Sequence, residues 1–147
     1  MRAASRALSS LLTHRVFLRV VSLVVGAVFI YASLDKIAHP DEFADVVNDY
    51  RMLPTLAINA FALAMPWVEM VTGAALIVGF WRRAGGLLAA ALTLAFLVAI
   101  AQAEIRGLKI ECGCFDVSGM SGTEASWGLF ARNVALLLGS LLLWRRA

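Results

Sequence analysis

Four stretches of this chain are almost continuously apolar, and the polar residues collect in the gaps between them. The stretches run from about Val16 to Ala38, Ala57 to Phe80, Ala84 to Ile105 and Trp127 to Trp144. A bilayer core of about 30 Å takes roughly 20 helical residues to cross, so each stretch predicts a membrane span. The first is interrupted close to its start by Arg19, whose long side chain can snorkel to the interface. The last, at 18 residues, is the shortest and is framed by tryptophans.

The gap over 39–56 has a pattern of its own. After Pro40, apolar residues recur at Phe43, Val46, Val47 and Tyr50, with Asp41, Asp45, Asn48 and Asp49 between them. That spacing predicts a short one-sided helix lying across the mouth of the bundle. Leu53-Pro54 ends it, because a proline disfavours helix at the residue before it. The gap over 106–126 is broken by Gly107, Gly113, Gly119 and Gly122 and predicts a loop. The expected fold is therefore all-α: an integral membrane four-helix bundle, one domain over 1–147, with a short outer amphipathic helix between spans one and two.

Composition agrees with this pattern. The chain has 147 residues, 61% of them hydrophobic and 16% charged, which places it in a lipid bilayer and gives no reason to expect a nucleic-acid interface. Basic residues then set the orientation. Arg2, Arg6, Arg15 and Arg19 precede or open the first span, Arg82 and Arg83 lie between spans two and three, and Arg145 and Arg146 follow the fourth. Lysine and arginine accumulate on the cytoplasmic side, so both termini are expected there and both longer loops outside. The outer side is then a periplasm or its equivalent. The leading MRAASRALSSLLTHR suits an amphipathic segment on the inner surface or a transit peptide, and the first span reads as an uncleaved anchor. Small residues four apart, Gly85 with Ala89 and Gly86 with Ala90, are candidates for close helix approach, as are Ala75 and Gly79.

The candidate chemistry begins with Cys112-Gly113-Cys114, which holds both cysteines of the chain. Gly113 tolerates the backbone angles that a ring this tight demands, and the disulfide so formed would be strained and reactive. Placed outside, the pair faces a compartment where disulfides persist. Three readings stand open: a dithiol exchanging with partner proteins, a passive bridge that pins the loop, and a metal site. The bridge closes too small a ring to stabilise much, and the metal reading lacks neighbouring histidines. Nearby charges are mixed, with Arg106 and Lys109 against Glu111 and Asp116.

Ionisable groups inside spans are costly and need a partner or a purpose. Glu69 lies deep in the second span, just after Pro66, where a bend is expected. Arg132 and Asn133 enter the fourth span from the outer side, and Asp35 and Lys36 end the first. Glu69, Lys36, Arg132 and Asn133, with Trp67 as a stacking surface, are the candidates for a polar pocket holding a quinone head group or a proton relay. The alternative reading is a structural ion pair between Glu69 and Arg132. Trp67 equally suits plain packing, while Trp81, Trp127 and Trp144 suit interfacial anchoring.

These residues together resemble a known family. Lys36, Tyr50, Leu53-Pro54, Pro66, Glu69, Gly73, Arg106-Gly107, Cys112-Gly113-Cys114-Phe115 and Arg132-Asn133 follow the order seen in the MauE-like branch of the DoxX superfamily. The likeness extends from about Phe29 to Leu142, and Asp116 stands where a glycine would be expected. It implies a four-helix membrane protein of periplasmic thiol chemistry, with Cys112 and Cys114 as the dithiol and a thioredoxin-like protein or client as partner. The resulting expectation is a membrane thiol–disulfide oxidoreductase, with quinone as the candidate cofactor. The competing expectation is a non-catalytic accessory or assembly subunit of a larger membrane complex.

Overall fold

The computed structural model describes residues 2–107 and 123–146, with side chains over 14–107, at 128 and over 130–146. Five helices make up the described residues: α1 (Arg2–Ala38), α2 (Pro40–Asp49), α3 (Thr55–Val78), α4 (Arg82–Ile105) and α5 (Thr123–Arg146). Among the described residues, three helical segments are long and apolar enough to cross a membrane: His14–Ala38 of α1, α3 and α4. The chain is an all-helical membrane protein. The amphipathic segment expected before the first span is continuous with it, as one helix of 37 residues.

Local sequence accounts for most of the boundaries. Pro40 sits in the first turn of α2, where a missing N–H costs nothing, and Asp41 and Glu42 complement the helix dipole there. Phe43 and Val47 are buried while Asp41, Asp45, Asn48 and Asp49 are exposed, as the spacing predicted. Pro54 stands extended just before α3. α3 runs on through the buried Pro66 as one helix and ends at Gly79, whose φ of 83° is the left-handed turn that glycine accepts without strain.

Packing joins the helices in a cycle: α1 lies on α3, α3 on α4, α4 on α5 and α5 back on α1, while α2 rests on α3 and α1. Small residues set the closest approaches. A Cβ added at Gly73 would lie 2.7 Å from the Gly26 carbonyl oxygen, and the reverse holds at Gly26, so α1 and α3 touch backbone to backbone. Ser22 Oγ, nearby on α1, donates to the Leu76 carbonyl at 2.6 Å. Gly86 lies as tightly against Ser140, Leu143 and Trp144 of α5, and Gly85 meets Leu76. The expected pair Ala75 and Gly79 differs: Gly79 caps α3 beside the Arg19 and Arg82 guanidinium groups. Those arginines complement the carbonyl end of the helix. Arg19, the α3–α4 turn and the α5 terminus thus share one end of the molecule, and α2 covers the other.

Candidate functional site

Lys36 sits two residues from the C-terminal end of α1, yet its ammonium is buried. Helical side chains lean toward the N-terminus of their own helix, so a lysine here reaches back into the packed interior. Nζ donates to both oxygens of Glu69, at 2.8 Å to Oε2 and 3.0 Å to Oε1. The two residues are 1% and 2% exposed, so the pair is fully withdrawn from the surroundings. Two aromatic faces complete the enclosure: Nζ lies 5.3 Å from the Phe43 ring centroid and 4.9 Å from that of Phe96. A cation against ring faces is attracted by their quadrupoles, more strongly when water is excluded. α2 therefore supplies one wall of the box through Phe43, and α4 another through Phe96.

Of the two readings of the sequence, the ion-pair one joined Glu69 to Arg132; the structure gives it Lys36. Geometry decides this, since the long lysine stem on α1 brings its charge to the depth of Glu69. Lys36, Glu69 and Asn133 line one shared cavity, together with Phe29 and Thr93. Asn133 is buried, and its Nδ2 has no hydrogen-bond partner among the described residues. The cavity measures about 20 Å³, room for a single water that could accept from that amide. Arg132 is half-buried on the neighbouring position and is not part of the cavity wall. Trp67 is 59% exposed on the outer surface of α3, so it stacks on nothing that enters here.

A quinone head group does not fit beside this ion pair. The space is of water size, and both charges already satisfy one another. A second, larger cavity of about 250 Å³ lies on the other side of the two rings, between α2, α3 and α4, with Phe43 and Phe96 in its wall as well. Nothing in the sequence pattern pointed to this space, because its walls come from three helices. Phe43 was visible only as the buried face of α2, and Phe96 as one apolar residue among many in α4.

Cys112 and Cys114 lie outside the described residues, on the segment that leaves α4 at Gly107 and enters α5 at Thr123. That segment leaves and re-enters at the α2-covered end, away from the arginine end.

Taken together, these features define a helical membrane protein with a sealed intramembrane ion pair under a short amphipathic cap. The family model for "Methylamine utilisation protein MauE" matches residues 14–145, and the chain belongs to that family. The methylamine utilization protein MauE of Paracoccus denitrificans is 37% identical over 115 residues, covering 78% of this chain and 61% of the relative. MauE of Methylorubrum extorquens is 34% identical over 115 residues, covering 77% of this chain and 61% of that protein. MauE of Methylophilus methylotrophus is 39% identical over 94 residues, covering 63% of this chain and 50% of that one. The matched region thus spans about three-fifths or less of these relatives' length. No solved structure matches the chain.

Proposed function

We propose that this protein is a four-span thiol–disulfide exchange protein of a bacterial inner membrane, serving a methylamine-utilisation system like the one its relatives are named for. In this reading α5 is the fourth span, both termini are cytoplasmic, and the Cys112–Cys114 pair works in the periplasm. The observation that carries it is the split between the two ends. Arg19, Arg82 and the α5 terminus with Arg145 and Arg146 gather at one end, and the cysteine segment joins α4 to α5 at the other. By the distribution of basic residues the first end is cytoplasmic and the second faces an oxidising compartment.

The exchange is balanced within the pair and its partner. A thiolate of a thioredoxin-like protein, or of a client, attacks the Cys112–Cys114 disulfide and forms a mixed disulfide. The partner's second thiol then displaces the remaining bond. The partner leaves as a disulfide, and Cys112 and Cys114 become thiols by taking up its two electrons and two protons. The reverse reaction runs through the same intermediate, and relative reduction potentials set the direction.

The test uses cells carrying Cys112→Ser with Cys114→Ser, and separately Cys114→Ala. The double variant is expected to lose disulfide formation in a periplasmic client, and the single variant to accumulate a mixed disulfide visible on non-reducing gels. Full client oxidation in the double variant, with no trapped species in the single one, overturns the proposal. That result transfers the protein to the accessory reading, a membrane subunit that docks into a larger complex.

A further inference from the structure

The arginine end of the molecule holds charge that its own side chains do not balance. All ten acidic residues fall within 35–69 or 104–124, so the stretches 1–34, 70–103 and 125–147 carry none. Two of the arginines at this end are drawn together. A Cβ built at Gly79 would meet Arg19 Nη1 first and then Arg82 Nε and Nη2, at 3.0 and 3.1 Å. Both guanidinium groups thus crowd one point beside the turn that ends α3. Both residues are half-buried, and neither belongs to an ion pair among the described residues. Arg82 Nε is buried, and it has no hydrogen-bond partner among the described residues. The carbonyl end of α3 brings about half a negative charge, but the start of α4, which has no side-chain cap, brings about half a positive charge to the same turn. Two like charges therefore stand side by side with little among the described residues to offset them.

The neighbouring residues indicate the depth of this pair. Phe80 and Trp81 are exposed and stack on each other, with ring centroids 5.3 Å apart and planes 9° from parallel. Trp81 holds φ at 50°, in the left-handed region that a bulky side chain rarely adopts, so the turn presents these rings at a conformational cost. Exposed tryptophans settle at the boundary of membrane and water, at the level of the lipid headgroups. A guanidinium fork matches the oxygens of a phosphate, and two forks at one point can share a single phosphate group.

We propose that Arg19 and Arg82 form a binding site for the phosphate of an anionic membrane lipid, with Phe80 and Trp81 beside its glycerol and upper chains. The phosphate is the recognised group, and the exposed rings next to it favour a lipid over free phosphate. The site depends neither on the cysteine segment nor on which side of the membrane this end faces.

Native mass spectrometry of the purified full-length protein in detergent, titrated with dioleoylphosphatidylglycerol or dioleoylphosphatidylcholine, tests it. The two lipids share chains and phosphate, but choline cancels the charge of the second. One phosphatidylglycerol is expected to bind about tenfold or more tightly than phosphatidylcholine, since each arginine contributes about fivefold. Arg19→Gln with Arg82→Gln should bring the two lipids within about twofold of each other, and the milder Arg82→Gln alone should lower the preference by about fivefold. Arg145→Gln with Arg146→Gln removes the same net charge from exposed positions at this end and should leave the preference unchanged. Circular dichroism checks that each variant keeps its helices. Equal binding of the two lipids by the folded protein overturns the proposal. An equal loss in the Arg145→Gln, Arg146→Gln variant also overturns it, since net charge alone would then account for the preference. Displacement of phosphatidylglycerol by an equal concentration of inorganic phosphate overturns the lipid as source and leaves a site for a free oxyanion.

Discussion

The two ends of this molecule are held together by different physics. At the arginine end, glycine and serine let backbones meet: Gly26 against Gly73, Gly86 against Ser140, and Ser22 donating to the Leu76 carbonyl. At the α2-covered end, bulky rings and a buried ion pair hold the helices, and both described cavities lie among them. In lipid, helices gain little from burying one hydrocarbon surface against another, so close contact must come from shape or from polar bonds. The tight end uses shape, with Gly26 set against Gly73 and Gly86 against Ser140. The capped end uses charge and rings, and gains space from the mismatch of their outlines. Among the described residues, close backbone contact and the two cavities thus fall toward opposite ends of the same helices.

Substitutions can break or sharpen this contrast. The largest effect is expected from Lys36→Met or Glu69→Leu alone, because either leaves one buried charge uncompensated, at a cost of about 3–5 kcal/mol. The double variant should recover most of that loss, since the desolvation of both charges disappears with their attraction. Thermal unfolding in detergent reads both, and a double variant no more stable than the single ones would show that uncompensated charge is not what destabilises them. Next comes Gly73→Ala at the tight end. Its Cβ would press on the Gly26 carbonyl at 2.7 Å, which forces α1 and α3 apart at about 1–3 kcal/mol. The same measurement checks it, and wild-type stability would show that the helices slide past one another freely. The smallest is Ser22→Ala, which removes one interhelical hydrogen bond worth about 0.6 kcal/mol in a membrane protein. A loss as large as that of Gly73→Ala would mean that polar bonds, and not shape, hold the arginine end.

Much of the architecture was legible along the chain. Run length gave the three spans in α1, α3 and α4, and the spacing of Phe43, Val46, Val47 and Tyr50 gave α2 with its buried face. The inward faces of the spans were harder to read, because lipid rewards apolar residues on the outside too. On α1, Val16, Phe17, Val20, Leu23, Val24, Tyr31 and Leu34 are exposed, while Ser22, Ser33 and Lys36 are buried. The usual rule of apolar inside is of little use here. A better signal was present in Ser22, Gly26, Ser33 and Lys36, small or polar residues at helical spacing that mark the side facing other helices. Glu69 was recognisable by its depth, but its partner was not: the ion pair was read with Arg132, while Lys36, near the end of its span, was read only as a lining residue of a polar pocket. Gly26, the counterpart of Gly73, went unread because a lone glycine in an apolar run carries no pattern of its own.

The sequence by itself determined that this chain enters a membrane, about where its long helices end, and which end carries the basic residues; α1 and α5 begin earlier than the apolar runs do, at Arg2 and Thr123. Each of these depends on neighbours along the chain: the length of an apolar run, a proline at a first turn, a glycine at a last one. Only the tertiary structure decided that Lys36 and Glu69 are partners, that Trp67 faces outward, and that the ligand-sized space lies beyond Phe43 and Phe96. Those outcomes depend on how far one helix stands from another and on the direction in which a side chain leans across the gap, quantities fixed by packing among residues distant in sequence.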